Sequence, residues 1–186
     1  MPLKYAYHPG NVSHSSATEV AETMEPVARS LGIELVPLDG ATSCGAGIIK
    51  QASRRLQLTL NARTFSMAEE MGLDIITPCA ATAGNLKEDL ATLKEDPNLL
   101  GEINEALERT CGRRFSGDTH VHHLLHVIVD EVGIERLESE VRNPIDFDVA
   151  GFYGPNIQQA GACGDDDVHD PEYLEMIIDA LGGRPV

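Results

Sequence analysis

Apolar positions along the chain fall into short runs separated by longer, helically spaced series. Leu3-Lys4-Tyr5-Ala6-Tyr7 reads as a strand closed by the turn formers His8-Pro9-Gly10-Asn11. Ile33 to Leu38 reads as a second strand, Leu73 to Thr77 as a third, Gly117 to Val121 as a short fourth, and Ile145 to Tyr153 as a later one closed by Gly154-Pro155-Asn156. Between the first two lies a helix with Val20, Met24, Val27, Ala28 and Leu31 on one face. Ser16-Ala17-Thr18-Glu19 fits a capping box for it, with Ser16 as cap and Glu19 reaching back. Pro26 works against that helix, because an interior proline removes a hydrogen bond, and Gly32 ends it. Ile49 to Met71 makes one long helical pattern with Leu56, Leu60, Met67 and Met71 as its apolar stripe. Further helices are expected over about 84–95 and 97–111, parted by Asp96-Pro97, then Leu124 to Val132, Ile134 to Val141, and a last one from Asp170-Pro171 to Leu181-Gly182.

Strands that alternate with helices predict an α/β fold, a parallel sheet with helices on both faces. Its crossovers are right-handed, and its ligands sit beyond the carboxyl ends of the strands. Asn11, Cys44, Cys79 and His120 to His123 all stand just past expected strand ends, so they converge on one edge of such a sheet.

An internal repeat sharpens this organisation. Glu22, Met24, Glu25, Val27, Leu31 and Gly32 match Glu172, Leu174, Glu175, Ile177, Leu181 and Gly182 at a constant offset of 150 (172 against 22, 182 against 32). Tyr7-His8-Pro9-Gly10-Asn11 is similarly echoed by Tyr153-Gly154-Pro155-Asn156. Two amphipathic helices can match by chance; the shared offset argues for a repeat. The chain then divides into a complete first unit, 1–145, and the beginning of a second, incomplete unit, 146–186.

Composition narrows the function classes. The formal net charge is −16, which opposes nucleic acid and anionic membrane surfaces as partners. No apolar run approaches the roughly 20 residues that span a bilayer, and Met1-Pro2-Leu3-Lys4 lacks a signal-peptide core, so a cytoplasmic location is expected. The four cysteines, Cys44, Cys79, Cys111 and Cys163, contain no Cys-x-x-Cys pair and read as thiols or metal ligands rather than disulfides.

Cys44 lies in the Gly-rich turn Ser43-Cys44-Gly45-Ala46-Gly47, where backbone N–H groups can approach a sulfur closely. Cys79 follows the third strand, with Ala80 to Ala83 clearing space above the strand end. Each is a redox or metal candidate, and each could equally be a small buried hydrophobe. Cys111 and Cys163 read as bystanders. His122 and His126 are spaced to share a helix face and a zinc ion, or simply open a histidine-rich helix. No GxSxG or HExxH supports hydrolytic chemistry, and Asp165-Asp166-Asp167 with Asp170 reads as a solvated loop rather than an EF-hand.

These motifs resemble a family. Tyr7-His8-Pro9-Gly10-Asn11, Ala41-Thr42-Ser43-Cys44-Gly45, Asn61-Ala62-Arg63, Thr77-Pro78-Cys79-Ala80-Ala81-Thr82, His123-Leu124-Leu125 and Phe152-Tyr153-Gly154-Pro155 stand where the cysteine-rich (CCG-domain) B-type subunit of heterodisulfide reductase has its motifs. Relatives of that subunit occur in succinate:quinone and fumarate reductase assemblies. The resemblance implies noncubane four-iron (4Fe-4S) clusters that cleave a disulfide. It also implies departures: Asn11 and Thr82 replace ligand cysteines of the first site, Pro155 replaces the one opening the second, and the Cys-Cys-Gly turn keeps only Cys44. Cys44 and Cys79 remain as metal ligands, with Asn11 or His123 filling the set, for a four-iron cluster, a smaller iron–sulfur cluster or none. The implied role is a component of a heterodisulfide-reductase-like redox complex. It would pass electrons from iron–sulfur or flavoprotein subunits to a disulfide or quinone-linked centre. The other implied reading is a cluster-free, non-enzymatic structural or docking subunit that retains the fold only.

Overall fold

The structure is a computed structural model and describes residues 3–11, 13, 16–158, 161 and 164–186. The chain runs β1 (Leu3–Tyr7), α1 (Thr18–Ser30), β2 (Ile33–Pro37), α2 (Ile48–Ala52), α3 (Arg54–Met71), β3 (Ile75–Thr77), α4 (Ala80–Glu95), α5 (Pro97–Cys111), β4 (Val121–His123) and α6 (Leu124–His126). A π-helical segment Val127–Val132 then leads to α7 (Ile134–Glu140), β5 (Asp148–Val149), α8 (Tyr173–Ala180) and β6 (Arg184–Pro185). The first four strands form one sheet in the order β2-β1-β3-β4, and every pairing in it is parallel. The expected parallel α/β architecture is therefore present.

Helices cover both faces. Adjacent residues of a strand point to opposite sides, and in β3 Ile75 enters one core while Ile76 enters the other. The first core gathers Phe65, Leu86, Leu93, Ile103, Leu107 and Phe115 from α3, α4, α5 and the loop after α5. The second gathers Tyr5, Ala28, Ile33, Val127 and Leu137 from β1, α1, β2, the π-helical segment and α7. A central strand buried on both faces needs no polar alternation, which is why β3 reads as continuously apolar.

Local chemistry explains the element ends, including several that differ from expectation. α1 begins at Thr18 with Ala17 at its N-cap and no side-chain cap, so Ser16 lies outside the helix and the expected capping box is not made. The long helix expected from Ile49 to Met71 is two helices. Ser53 adopts an extended conformation, and its Oγ accepts from Leu56 N–H at 3.2 Å to start α3 afresh. The expected stripe on α3 is also displaced: Leu56 is 50% and Met71 41% exposed, while Gln57, Asn61 and Phe65 are fully buried. Asp96 caps α5 through the N–H groups of Asn98 and Leu99, with Pro97 at the first helical position.

The expected fourth strand, Gly117 to Val121, is shifted to Val121–His123. The Glu69 carboxylate accepts from the N–H groups of Ser116 and Asp118 and from Ser116 Oγ, which pins residues 116–118 as a loop. His122 is therefore on a strand rather than on a helix face shared with His126. Of the strand expected over Ile145 to Tyr153, only Asp148–Val149 forms, paired in parallel with β6, which the apolar pattern did not foresee.

α8 packs against α6 and α7, and its C-terminal end repeats that of α1. Leu31 N–H donates to the Val27 carbonyl and Gly32 N–H to that of Arg29, and likewise Leu181 N–H donates to Ile177 and Gly182 N–H to Asp179. Gly32 and Gly182 follow at φ of 78° and 85°. Among the described residues no helix is long and apolar enough to cross a membrane.

Candidate functional site

β1 lies between β2 and β3, so the chain leaves β1 in one lateral direction for β2 and returns on its other side for β3. Such a switch point opens a crevice at the carboxyl ends of the strands. The loops that meet there are residues 8–11 after β1, the Cys44 turn after β2, and Pro78-Cys79 leading into α4.

His8 ties the first two loops. Gly10 N–H donates to its Nδ1 at 3.0 Å, so Nε2 carries the proton and donates to Thr42 carbonyl at 3.0 Å. Burial pushes the His8 imidazole below its usual range, which keeps it in this neutral form. Asn11 follows, and its Nδ2 donates to Cys44 Sγ at 3.3 Å while its Oδ1 accepts from Ser43 Oγ at 2.8 Å. From the opposite side Thr82 Oγ1, in the first turn of α4, donates to the same sulfur at 3.6 Å. Cys44 is fully buried beneath these groups.

The buried polar face of α3 now has a purpose. Asn61 Nδ2 and Gln57 Nε2 donate to the Cys44 carbonyl at 3.0 and 3.3 Å. Asn61 Nδ2 also donates to Asp89 Oδ2 at 2.5 Å, and the other Asp89 oxygen is held by Arg54. Burial raises the Asp89 carboxyl, opposed by Asn61 and Arg54. Two helices thus hold the Cys44 turn from behind: α3 directly and α4 through Asp89, with Arg54 at the start of α3 linking both.

Cys79 is partly exposed at the N-cap of α4, its N–H donating to Thr77 Oγ1 at 3.2 Å. Gly10 packs directly on it. A β-carbon on Gly10 would lie 2.5 Å from Cys79 Cβ and 3.3 Å from its Sγ, and Gly10 holds φ at 88°. Gly10→Ala is therefore expected to lower stability by about 2 kcal/mol through overpacking and left-handed strain, measured as a shift in urea midpoint. An unchanged midpoint would show that the two loops are not in contact.

The histidines separate. His123 Nδ1 accepts from Leu125 N–H and its Nε2 donates to Pro78 carbonyl, each at 3.2 Å, so both ring nitrogens are engaged and neither meets Cys44. His126 meets the His123 ring at a tilt and the Tyr173 ring edge-on, with ring centroids 5.8 and 5.9 Å away. His122 sits edge-on to Tyr5, and His120 lies at the amino end of the strands beside Asp74, away from the cysteines. The expected convergence thus holds for Asn11, Cys44 and Cys79, holds for His123 only through Pro78, and fails for His120. Cys111 is exposed, with its Sγ donating to Leu107 carbonyl, and Cys163 lies outside the described residues. Sequence reasoning misses His8, Gln57 and Asp89 as site residues. The one available signal is the set of polar residues at core spacing in α3.

A four-iron cluster takes about four ligands, usually thiolates. Among the described residues the crevice offers two sulfurs, Cys44 and Cys79. Asn11 is committed to Cys44 and Ser43, and His123 has no free nitrogen. Among the described residues no group of three or more His, Cys, Asp or Glu is placed to hold a metal ion. The donor set of the described residues does not fit a four-iron cluster.

Comparison with known proteins places this geometry. Residues 5–87 match the CCG cysteine-rich domain family. The chain is 29% identical, over 85% of its length, to the B-type subunit of the ferredoxin/F420H2-dependent CoB-CoM heterodisulfide reductase of Methanosarcina acetivorans, covering 53% of that protein. It is 31% identical over its whole length to the 8-methylmenaquinol:fumarate reductase membrane anchor subunit of Wolinella succinogenes, covering 64% of it. A protein of Archaeoglobus profundus that is itself like the heterodisulfide reductase B-type subunit is 26% identical over 98% of the chain. The chain thus spans between about half and two thirds of the length of the curated relatives it matches. The crystal structure of a hypothetical protein from Helicobacter pylori shares the fold at a TM-score of 0.71 and 14% identity, over the whole of this chain and 33% of that one. The Asn11–Cys44–Cys79 crevice lies wholly inside the segment, residues 5–87, that matches the CCG cysteine-rich domain, and the chain is similar along most of its length to the B-type subunit of heterodisulfide reductase.

Proposed function

We propose that the chain is a component of a redox complex of the heterodisulfide reductase type, with Cys44 and Cys79 as its working groups. The observation that carries this reading is the meeting of both cysteines at the switch point of the parallel sheet, where α/β folds place their ligands. The similarity to subunits of heterodisulfide and fumarate reductases supports it.

The reading has two forms. In one, the chain takes part in iron–sulfur-linked electron transfer from an iron–sulfur or flavoprotein subunit to a disulfide or quinone-linked centre, with Cys44 and Cys79 as metal ligands. In the other, it is a cluster-free subunit that docks in the complex and keeps the fold. The donor set of two sulfurs favours the cluster-free form. Within it, Asn11 and Thr82 fix the Cys44 sulfur, His8 locks the loop after β1 to the loop after β2, and Gln57 and Asn61 hold the Cys44 carbonyl. Residues 1–145 serve as the cysteine-bearing unit, and 146–186 start a second copy of it. The matching ends of α1 and α8 support that division.

Anaerobic reconstitution with iron and sulfide separates the two forms. A brown protein with several irons per chain, lost in Cys44→Ser, would establish the cluster form. A colourless, folded chain without iron is the expected result. Affinity capture with the tagged chain should recover an iron–sulfur or flavoprotein redox subunit in either case, and failure to recover one overturns the complex itself.

A further inference from the structure

We propose that Cys44 and Cys79 form a cluster-free dithiol that exchanges with small-molecule disulfides, Cys79 attacking and Cys44 resolving. The inference rests on the assignment of these two cysteines as the working groups, but not on any partner protein.

Three contacts set the two sulfurs beside the same pair of segments. Gly10 packs against Cys79 Cβ and Sγ, and the next residue, Asn11, donates to Cys44 Sγ at 3.3 Å. Thr82, one turn into the helix that Cys79 caps, has its hydroxyl 3.6 Å from Cys44 Sγ. The same two segments, residues 10–11 and 79–82, therefore border both sulfurs.

Their surroundings differ in the way a dithiol pair needs. Cys79 is partly exposed and no side chain bonds its sulfur among the described contacts, so an incoming disulfide can reach it. Cys44 is fully buried and carries hydrogen-bond donors, Asn11 Nδ2 and Thr82 Oγ1, which support charge on its sulfur as it resolves or leaves. The carbonyl of Cys44 is anchored from behind by Gln57 and Asn61, so the turn presents the sulfur forward. A cleft of about 580 Å³ begins at Gly10, Asn11 and Ser43. Tyr7 Oη and Thr42 Oγ1, in residues that line it, are buried without a hydrogen-bond partner among the described residues.

The exchange balances without an outside oxidant. Cys79, as the thiolate, attacks one sulfur of the small disulfide; the disulfide bond breaks and one half leaves as a thiol. Cys44 then attacks Cys79 Sγ in the mixed disulfide, displacing the second half as a thiol. Two protein thiols are oxidised to one disulfide, and one small disulfide is reduced to two thiols. The chain carries a formal charge of −16, so a neutral probe avoids repulsion.

The test uses the full chain, reduced, iron-free and anaerobic, with bis(2-hydroxyethyl) disulfide as probe, read by intact mass and peptide mapping. The expected product of the wild-type chain has lost two hydrogens, carries no adduct, and yields a Cys44–Cys79 linked peptide. Cys44→Ser should stop at a mixed disulfide on Cys79, and Cys79→Ser should react about tenfold more slowly or not at all at Cys44. A wild-type chain that stops at a stable adduct on Cys79, or whose disulfide maps to Cys111 or Cys163, overturns the proposal. The wild-type mass decides without any variant having to fold. A chain that fails here yet captures a redox subunit would leave the complex reading in place, and the reverse result would leave only the dithiol.

Discussion

Arg54→Met is expected to destabilise the chain by about 3 kcal/mol, because it strands a buried carboxylate. The Asp89 side chain is fully buried, and its charge is met by Arg54 on one oxygen and by Asn61 on the other. Arg54 is itself one third exposed, which places the effect toward the low end for breaking a buried pair. The loss should appear as a lower urea midpoint with an unchanged slope. Adding Asp89→Asn to Arg54→Met removes the stranded charge and should recover part of the loss. The consequence reaches the site, because Asn61 bonds both Asp89 and the Cys44 carbonyl. Cys44 should therefore react faster with a thiol reagent in Arg54→Met under native conditions. A single variant as stable as the parent would show that the carboxyl of Asp89 is not charged in the folded chain.

Acidification is expected to produce the second large loss, and histidines cause it. Burial first, then the neighbouring His126, pushes His123 down to about 4, against the opposing bond to Pro78 carbonyl. Burial first, then Lys87 and His122, pushes His126 down to about 4 as well. A lowered histidine binds fewer protons folded than unfolded, so stability is fully present above the ordinary value of 6.5 and is lost as pH falls toward about 4. Each histidine contributes at most about 3 kcal/mol across that window. The groups around His126 include Lys87 on α4, His122 on β4 and Tyr173 on α8, which is itself bonded to Asp130. Asp89 and Asp130, whose carboxyls burial raises, act in the opposite sense and favour the fold as they protonate. Urea midpoints measured across the window should fall steadily with acid. A His123→Gln, His126→Gln double variant should flatten the profile, and a parent profile already flat would contradict the burial of these rings.

Much of the fold is local and can be read along the chain. β1 and β2 are short apolar runs ended by Pro and Gly, α5 starts at Asp96-Pro97, and α1 ends at Gly32; each is decided by residues a few positions apart. The shifted fourth strand is not local. Its start depends on Glu69, a residue of α3 distant in sequence, which claims the N–H groups of Ser116 and Asp118. The break at Ser53 has a local signature, a serine cap, but it lies inside an apolar spacing that continues through it.

At the site, the alternation of strands and helices is enough to put Asn11, Cys44 and Cys79 at strand ends, because in a parallel sheet every strand ends on the same edge. The partners of the Cys44 turn are not legible in the same way. Gln57 and Asn61 are polar, so a hydrophobic pattern sends them to solvent and chooses Leu56 and Met71 for the core. Their burial is favourable only because the Cys44 carbonyl and the Asp89 carboxylate arrive to accept their hydrogen bonds. The sequence by itself determined the class of fold and the edge where its two cysteines stand. The tertiary structure alone decided that Asn11 and Thr82 become donors to Cys44 and that His123 turns to Pro78, because those contacts join segments far apart in the chain and exist only when the sheet has closed.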